Sequence, residues 1–232
     1  SFKMLPVYRI RNGYSNLKKN DKTFEKCREI LKSKGYIMMF SEASHHNEYF
    51  LQALSKGSSR LAFEAQSESI TTSIYILPVG INYGHHQIAY SDLHLVYGEP
   101  VNVKTFLNPN NSKAEIINNI RKNLEVKMKK CLWLPDKNDR YFARKRMIIS
   151  ANTRLDFMKL KKGIEEGSLK TKENFRKSQL FIFLIFLLSI PNFLPLLIVK
   201  IMLSLFKDVV FYSSIKFSLG PFIFPIWWAF IF

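Results

Sequence analysis

Apolar residues are spaced in two ways in the first 150 residues, and the two spacings predict strands and helices in alternation. Four apolar runs have the length and composition of strands: Leu5–Ile10, Tyr36–Phe40, Ile74–Ile81 and Ile88–Tyr97. Three segments between and after these runs have helical spacing: 20–34, 56–65 and 112–131. Alternating strands and helices are typical of α/β domains, so we predict a mostly parallel sheet with flanking helices.

Two of the predicted helices carry end signals. Ser112 and Glu115 have the spacing of a capping box, ahead of an apolar stripe that would face the core. Gly35 is placed to end the first helix after Lys34. The stripe of the 112–131 helix consists of Ile117, Ile120, Leu124, Met128 and Cys131.

The last 53 residues are far more apolar than the rest of the chain. The run Leu180–Val199 is twenty residues long and uncharged, which is the length a membrane span needs and more than a soluble core helix usually has. Pro191 and Pro195 interrupt it, so it is either one kinked span or a shallow hairpin. A second apolar stretch, 209–232, contains Trp227 and Trp228, which suit a membrane interface. We therefore predict a hydrophobic, membrane-associated helical tail; the competing interpretation is a large buried core helix.

The charge distribution favours an anionic partner. The chain has 35 Lys and Arg against 18 Asp and Glu, a net charge of +17. Residues 159–177, just before the tail, carry seven basic and three acidic side chains, a collar that would contact anionic headgroups. By the positive-inside bias, the preceding domain would lie on the cytoplasmic face. We divide the chain into a domain at 1–150, a basic amphipathic juxtamembrane segment at 151–179 and a membrane tail at 180–232.

The loop after Phe40 is where a site would form, because sites in parallel sheets lie beyond the carboxyl ends of strands. It contains Glu42, His45, His46 and Glu48. Adjacent histidines diverge and no third ligand has suitable spacing, so we expect no metal site. The two cysteines form neither a disulfide framework nor a zinc motif. A second histidine pair, at 85 and 86, is interpreted as surface loop.

Several segments together resemble the membrane glycerophospholipid acyltransferases, which act on glycerol 3-phosphate or 1-acylglycerol 3-phosphate. LPVYRIRNG resembles the arginine block through Arg9, and MFSEASHH resembles the Phe-Pro-Glu-Gly block. LSKGSSRLAFEA, ILPVGINY and LVYGEPV follow in the family's order, so the resemblance covers about residues 1–105. The segment MFSEASHH departs from the family's Phe-Pro-Glu-Gly block at Ser41, Ala43 and His45, which puts substrate affinity or its pH dependence in question.

The resemblance implies transfer of a fatty acyl group from acyl-CoA or an acyl carrier protein to lysophosphatidate or glycerol 3-phosphate, without a cofactor. It implies substrate binding by Arg9, Glu42, Ser44 and His45. The family's catalytic His-x-x-x-x-Asp block precedes the arginine block, and no histidine here matches it. We therefore expect a fragment cut at both ends, with no catalytic residue of its own and inactive alone. Its only similar pair, His94 with Glu99, is interpreted as structural because strand alternation separates the two side chains.

Two other functions stay open. An inactive, membrane-anchored lipid- or phosphate-binding protein of the same architecture would tolerate the altered block. A nucleic-acid binder would explain the basic patch at Arg140, Arg144, Lys145 and Arg146. An amphipathic basic helix with Ile148, Ala151, Leu155 and Met158 on its apolar face explains that patch equally well. The apolar tail makes phospholipid the expected partner, and we expect no nucleic acid.

Overall fold

The structure is a computed structural model that describes residues 4–7, 19–42, 48–69, 71–84, 92–151, 153–169, 179–206 and 211–231. The chain is 59% helical and only 9% strand, and its two small sheets are antiparallel. The predicted α/β fold with a mostly parallel sheet is therefore wrong. Helices dominate, and the described strands pair only two by two.

The helices and strands fall into two compact units. The first unit is built from the described parts of residues 1–45, 49–82 and 93–141, and the second from those of 46–48, 83–92 and 142–232. The helices are α1 (Lys19–Lys32), α2 (Gly57–Glu68), α3 (Lys113–Lys130), α4 (Tyr141–Ser150), α5 (Phe157–Glu166), α6 (Gln179–Ser189), α7 (Phe193–Ser204) and α8 (Tyr212–Ile231). The strands are β1 (Tyr75–Ile76), β2 (Val79–Tyr83), β3 (Leu93–Tyr97) and β4 (Val101–Asn102).

The strand predictions fail where an apolar run has no strand beside it. Residues 36–40 are irregular, and Tyr36, Met38 and Phe40 are each at least 75% exposed. Residues 4–7 are not a strand either, and the rest of that predicted strand lies outside the described residues. An apolar run of five residues fits a buried strand only if a neighbouring strand accepts its backbone hydrogen bonds.

The predicted strand at 74–81 is split at Leu77 and Pro78. Proline has no N–H to donate to a ladder, so the run forms two short strands. β1 pairs antiparallel with β4, with Tyr75 opposite Asn102, and β2 pairs with β3. The Gly98 N–H donates to the Pro78 carbonyl at 2.9 Å, which holds the split in place.

Helix α3 follows its sequence signals closely. The Ser112 hydroxyl accepts from the Glu115 N–H at 3.3 Å, and the Glu115 carboxylate accepts from the Ser112 N–H at 2.8 Å. The predicted capping box is therefore confirmed. Four of the five predicted stripe residues are buried, and the core of this unit lies between α2, α3 and β1. The buried members of that core are Ala62, Ala65, Ile74, Val103, Ile116 and Ile120.

Helix α1 ends slightly before its predicted end. It stops at Lys32, and Lys34 adopts a left-handed conformation with φ 62°. The Gly35 N–H then donates to the Ile30 carbonyl at 2.8 Å. A Cβ on Gly35 would lie 2.8 Å from that oxygen, so glycine is needed here for close approach.

Asn82, near the end of β2, bonds to two other segments of the first unit: to the His94 carbonyl of β3 at 3.3 Å and to the chain that leaves α3. It is fully buried. Its amide nitrogen donates to the Cys131 carbonyl at 3.0 Å, and its oxygen accepts from the Trp133 N–H at 3.0 Å. These bonds fix the chain that leaves α3 against β2.

In the second unit, the predicted amphipathic face is broken. Ile148 and Ala151 are buried, but Leu155 is 39% and Met158 is 67% exposed, because the chain leaves the helical path between α4 and α5. Asp156 caps α5 through a bond from the Met158 N–H at 3.0 Å. The buried residues of α5 are Leu160, Gly163 and Ile164.

The tail forms three apolar helices. α8 is twenty residues long, has a mean hydropathy of 1.3 and is long and apolar enough to cross a membrane. None of the residues of α8 is buried. α6 and α7 are bent by 91° relative to each other at the break around Pro191.

Candidate functional site

The segment that resembles the Phe-Pro-Glu-Gly block is tied to the start of α2. Glu42 forms an antiparallel bridge with Leu54, and the Ser55 N–H donates to the Ser41 carbonyl at 2.8 Å. The Ser41 hydroxyl also lies 2.9 Å from the Ser58 hydroxyl in the first turn of α2. The two neighbouring segments of the resemblance therefore form one local structure.

Only one of the four predicted substrate-binding residues lies within the described part of the chain. Glu42 is half-buried in the bridge just described. Arg9, Ser44 and His45 lie outside the described residues. The structure thus locates the frame of the predicted site and one of its side chains.

The N-terminus of α2 has no side-chain cap. Lys56 occupies the N-cap position with helical backbone angles, and it makes no capping hydrogen bond. The first N–H groups of a helix carry a partial positive charge and lack helical partners, which favours an anion at this position. Lys56 itself is exposed and adds a full positive charge.

Arg121 on α3 adds a cation that the sequence prediction missed. Its guanidinium Nη1 donates to the Leu54 carbonyl at 3.3 Å, two residues before Lys56. Its Nε is buried without a hydrogen-bond partner. Helical spacing from Ile117 and Leu124 would have put Arg121 on the core side of α3, but 67 positions separate it from the loop that it contacts.

A cleft of about 450 Å³ lies between α1, α2 and the start of α3. Glu64 accepts from Arg60 Nε at 2.9 Å, from Lys113 Nζ at 3.1 Å and from Arg28 Nη1 at 3.3 Å. Burial raises the pKa of Glu64, but hydrogen bonds from Arg60 and Lys113 and the charges of both outweigh it, so the pKa is lowered. Because the cations already have carboxylate partners, we interpret this cluster as a cross-link between helices.

The histidine–carboxylate pair identified in the sequence consists of His94 in β3 and Glu99 just after it, and each contacts another residue. His94 packs against Trp133, with 4.9 Å between ring centroids, and Glu99 pairs with Lys127 at 3.4 Å. These contacts agree with the structural interpretation of the pair. Within the described ranges, no cluster of three or more His, Cys, Asp or Glu side chains could hold a metal ion.

Two members of the basic patch make internal contacts in the second unit. Arg144 donates to the Glu165 carbonyl at 2.9 Å, and Lys145 pairs with Glu48 at 2.9 Å. Arg140 and Arg146 are exposed. The patch therefore serves in part to join α4 to its neighbours.

No protein-family model, no curated protein and no solved structure matches this chain.

Proposed function

We propose that this chain is part of a membrane-anchored acyltransferase that acylates the hydroxyl of lysophosphatidate or glycerol 3-phosphate. The observation that carries the proposal is the junction of two segments of the resemblance. The Ser41–Glu42 segment is bonded to the Leu54–Ser58 segment, at the start of an uncapped helix. A helix N-terminus that favours an anion, beside the glutamate of the segment that resembles the Phe-Pro-Glu-Gly block, suits a phosphate-bearing substrate.

The substrate phosphate would bind at the N-terminus of α2. Its N–H groups, the Lys56 ammonium and the field of Arg121 all favour negative charge there. By resemblance, Arg9 adds a bidentate contact and His45 and Ser44 add donors. Glu42, being anionic, would orient a donor or the substrate hydroxyl.

The reaction transfers an acyl group from sulfur to oxygen. A general base takes the proton of the substrate hydroxyl, and the oxygen attacks the thioester carbonyl carbon. The new C–O bond forms, the C–S bond breaks, and the thiol leaves with a proton. By resemblance, the base is the histidine of a His-x-x-x-x-Asp block that the family places before the arginine block.

The tail would hold this domain at the bilayer. α8 is long and apolar enough to span, and the basic collar at 159–177 precedes the tail. Attraction of the collar to anionic headgroups, worth about 1 kcal/mol per basic residue, would place the polar part on the cytoplasmic face.

Binding of the two acceptors by the 232-residue chain, in detergent, tests the phosphate site. We expect Arg9→Ala and Lys56→Ala each to weaken binding of glycerol 3-phosphate and lysophosphatidate about tenfold, because each removes a charge-assisted contact. Arg140→Ala removes an exposed arginine elsewhere and should leave affinity unchanged. Equal affinity in all four proteins would refute the assignment.

An acyl-transfer assay decides between an enzyme and an inactive binder. The inactive binder is the second candidate because the segment that resembles the Phe-Pro-Glu-Gly block departs from the family at Ser41, Ala43 and His45. The chain extended upstream is assayed with acyl-CoA and with an acyl carrier protein as donors. Turnover that disappears in Glu42→Gln supports the enzyme. Binding without turnover from either donor would support the inactive lipid- or phosphate-binding protein.

A further inference from the structure

At the break between α6 and α7, side chains donate hydrogen bonds to backbone carbonyls. Pro195 lacks the N–H that would bond to the Pro191 carbonyl in a continuous helix. The indole N–H of Trp227, on α8, donates to that carbonyl instead, at 2.7 Å. The indole N–H of Trp228 donates to Asn192 Oδ1 at 3.0 Å. Two consecutive residues of α8 therefore hold the bend.

Two more carbonyls beside the bend accept hydrogen bonds from side chains. Asn192 Nδ2 donates to the Leu188 carbonyl at 2.9 Å, and the Ser189 hydroxyl donates to the Phe186 carbonyl at 2.7 Å. Backbone groups in hydrocarbon need protein partners because no water reaches them. A bend whose backbone carbonyls have hydrogen-bond donors from the protein is suited to a position deep in a bilayer.

Because of the bend, α6 and α7 together are too short to cross the hydrocarbon core of a bilayer. α6 has 11 residues and α7 has 12, so the arms are about 16 Å and about 18 Å long. At the observed angle of 91° their outer ends are only about 24 Å apart, against a hydrocarbon core of about 30 Å. A single kinked span would have to open this angle and break the bonds from Trp227 and Trp228.

Polar or charged side chains lie toward the outer ends of both arms, and the polar side chains at the bend are hydrogen-bonded within the protein. Gln179 begins α6, and Lys200 lies in the second half of α7, about 11 Å along the helix from its first residue, Phe193. A lysine at that distance can extend its ammonium to the headgroups. From Leu180 to Leu188, α6 is apolar on all sides. The exposed fraction is 44–67% at Leu180, Ile182, Phe183, Leu184, Ile185, Phe186, Leu187 and Leu188.

We propose that α6 and α7 form a re-entrant wedge that enters and leaves the same face of the bilayer, with its bend at the deepest point and latched by Trp227 and Trp228 of α8. The partner of this surface is the acyl-chain region of one leaflet. α8 packs against α7 and contacts the bend through Trp227. This proposal depends on the proposed function, in which the tail anchors the protein in the membrane.

Labelling of single cysteines in sealed proteoliposomes tests the wedge. The full chain carries Cys27→Ala and Cys131→Ala, and one cysteine is introduced by Phe142→Cys, Leu205→Cys or Ile190→Cys. These three positions are 70%, 70% and 58% exposed. A membrane-impermeant maleimide is added outside, and detergent is added afterwards to expose every thiol.

We expect positions 142 and 205 to be labelled from the same side and in the same fraction of molecules, and position 190 only after detergent. Labelling of position 205 only from the side opposite to position 142 would overturn the wedge in favour of a kinked span, while leaving the membrane anchor intact. Labelling of position 190 before detergent would show that the tail is not inserted, and would overturn the anchor as well.

Trp227→Phe together with Trp228→Phe tests the latch separately. The indole N–H donors are lost but both positions keep an apolar ring, so α8 remains apolar enough to insert. We expect position 190 to become reactive in at least a few per cent of molecules before detergent, because unsatisfied carbonyls draw the bend toward water. Phe222→Leu, on the same helix and 69% exposed, is the control. An unchanged labelling pattern in the double variant would refute the latch.

Discussion

At the scale of single residues, the tightest constraint lies where β2 passes the end of α3. A Cβ on Gly80 would collide with the carbonyl group of Cys131, and a Cβ on Gly98 would lie 2.5 Å from the Cys131 Sγ. Two glycines therefore leave room for one residue. The Asn82 side chain then bonds to that same carbonyl, at 3.0 Å.

We expect Gly80→Ala to lower the free energy of unfolding by about 2–3 kcal/mol, because the backbone of Cys131 must move and its bond from Asn82 is strained. The measurement is the urea midpoint at which the buried thiol of Cys27 becomes reactive. Gly220→Ala is the matched control, since no atom lies within 4 Å of its Cβ position. Equal midpoints in the two variants would contradict the close approach.

These residue contacts could be predicted only in part. Ser112 and Glu115 were found because a capping box is local: two residues that lie three positions apart define it, through a reciprocal pair of hydrogen bonds. Asn82 and Arg121 could not be found, because their partners lie 51 and 67 positions away. Sequence spacing carries no information about contacts at that separation unless the fold is known.

At the scale of elements, α1, α2 and α3 are joined by carboxylates that each hold several cations. Glu64 on α2 binds Arg28 of α1, Arg60 of its own helix and Lys113 of α3. Glu68 binds Arg28 and Lys32. The side chain of Glu64 is only 14% exposed, so its bonds are less screened than those of a surface pair.

The pH dependence of stability should report on Glu64. Its folded-state pKa is lowered below an unfolded value of about 4.3, so it stabilises the fold above that pH and loses this contribution as pH falls through the folded-state pKa. We expect Glu64→Gln to lower the free energy of unfolding at neutral pH by about 1–2 kcal/mol.

The difference between wild type and Glu64→Gln should shrink below about pH 4, as measured by urea unfolding followed by circular dichroism. Glu29→Gln changes an exposed glutamate of α1 and is the control. A constant difference between wild type and Glu64→Gln over this pH range would show that ionisation of Glu64 does not link the helices.

Strands were predicted less well than helices, for a physical reason. The helix signals at 20–34, 56–65 and 112–131 come from spacing within one segment, and α1, α2 and α3 lie within one to three residues of those bounds. A strand needs a second strand to accept its hydrogen bonds. The run at 36–40 has the composition of a strand, but no strand pairs with it in the part of the chain that the structure describes.

At the scale of the whole molecule, two properties favour an anionic lipid surface: the net charge and the apolar tail. The excess of Lys and Arg lies almost wholly before residue 180, while α6, α7 and α8 carry few charges. If the tail provides the anchor, binding to neutral lipid should persist at high salt, because burial of apolar surface is not screened.

Flotation with neutral phosphatidylcholine vesicles at high salt checks this prediction. We expect the wild-type chain to float, and Phe222→Asp to reduce the floating fraction severalfold because a charge within α8 resists insertion. Phe142→Asp changes an equally exposed phenylalanine outside the tail and should float like the wild type. A wild-type chain that fails to float with neutral vesicles would contradict anchoring by the tail.

By itself, the sequence determined the elements whose cause is local: the capping box of α3, most of the buried stripe of that helix and the apolar character of the tail. The tertiary structure decided the sheets, which are antiparallel, and the partners of Asn82, Glu64 and Arg121. It also showed which apolar run forms a helix of spanning length, α8, and that the run Leu180–Val199 bends by 91° at Pro191, where Trp227 and Trp228 donate hydrogen bonds. The reason is that a proline removes a hydrogen bond locally, but the group that replaces it comes from 36 residues away.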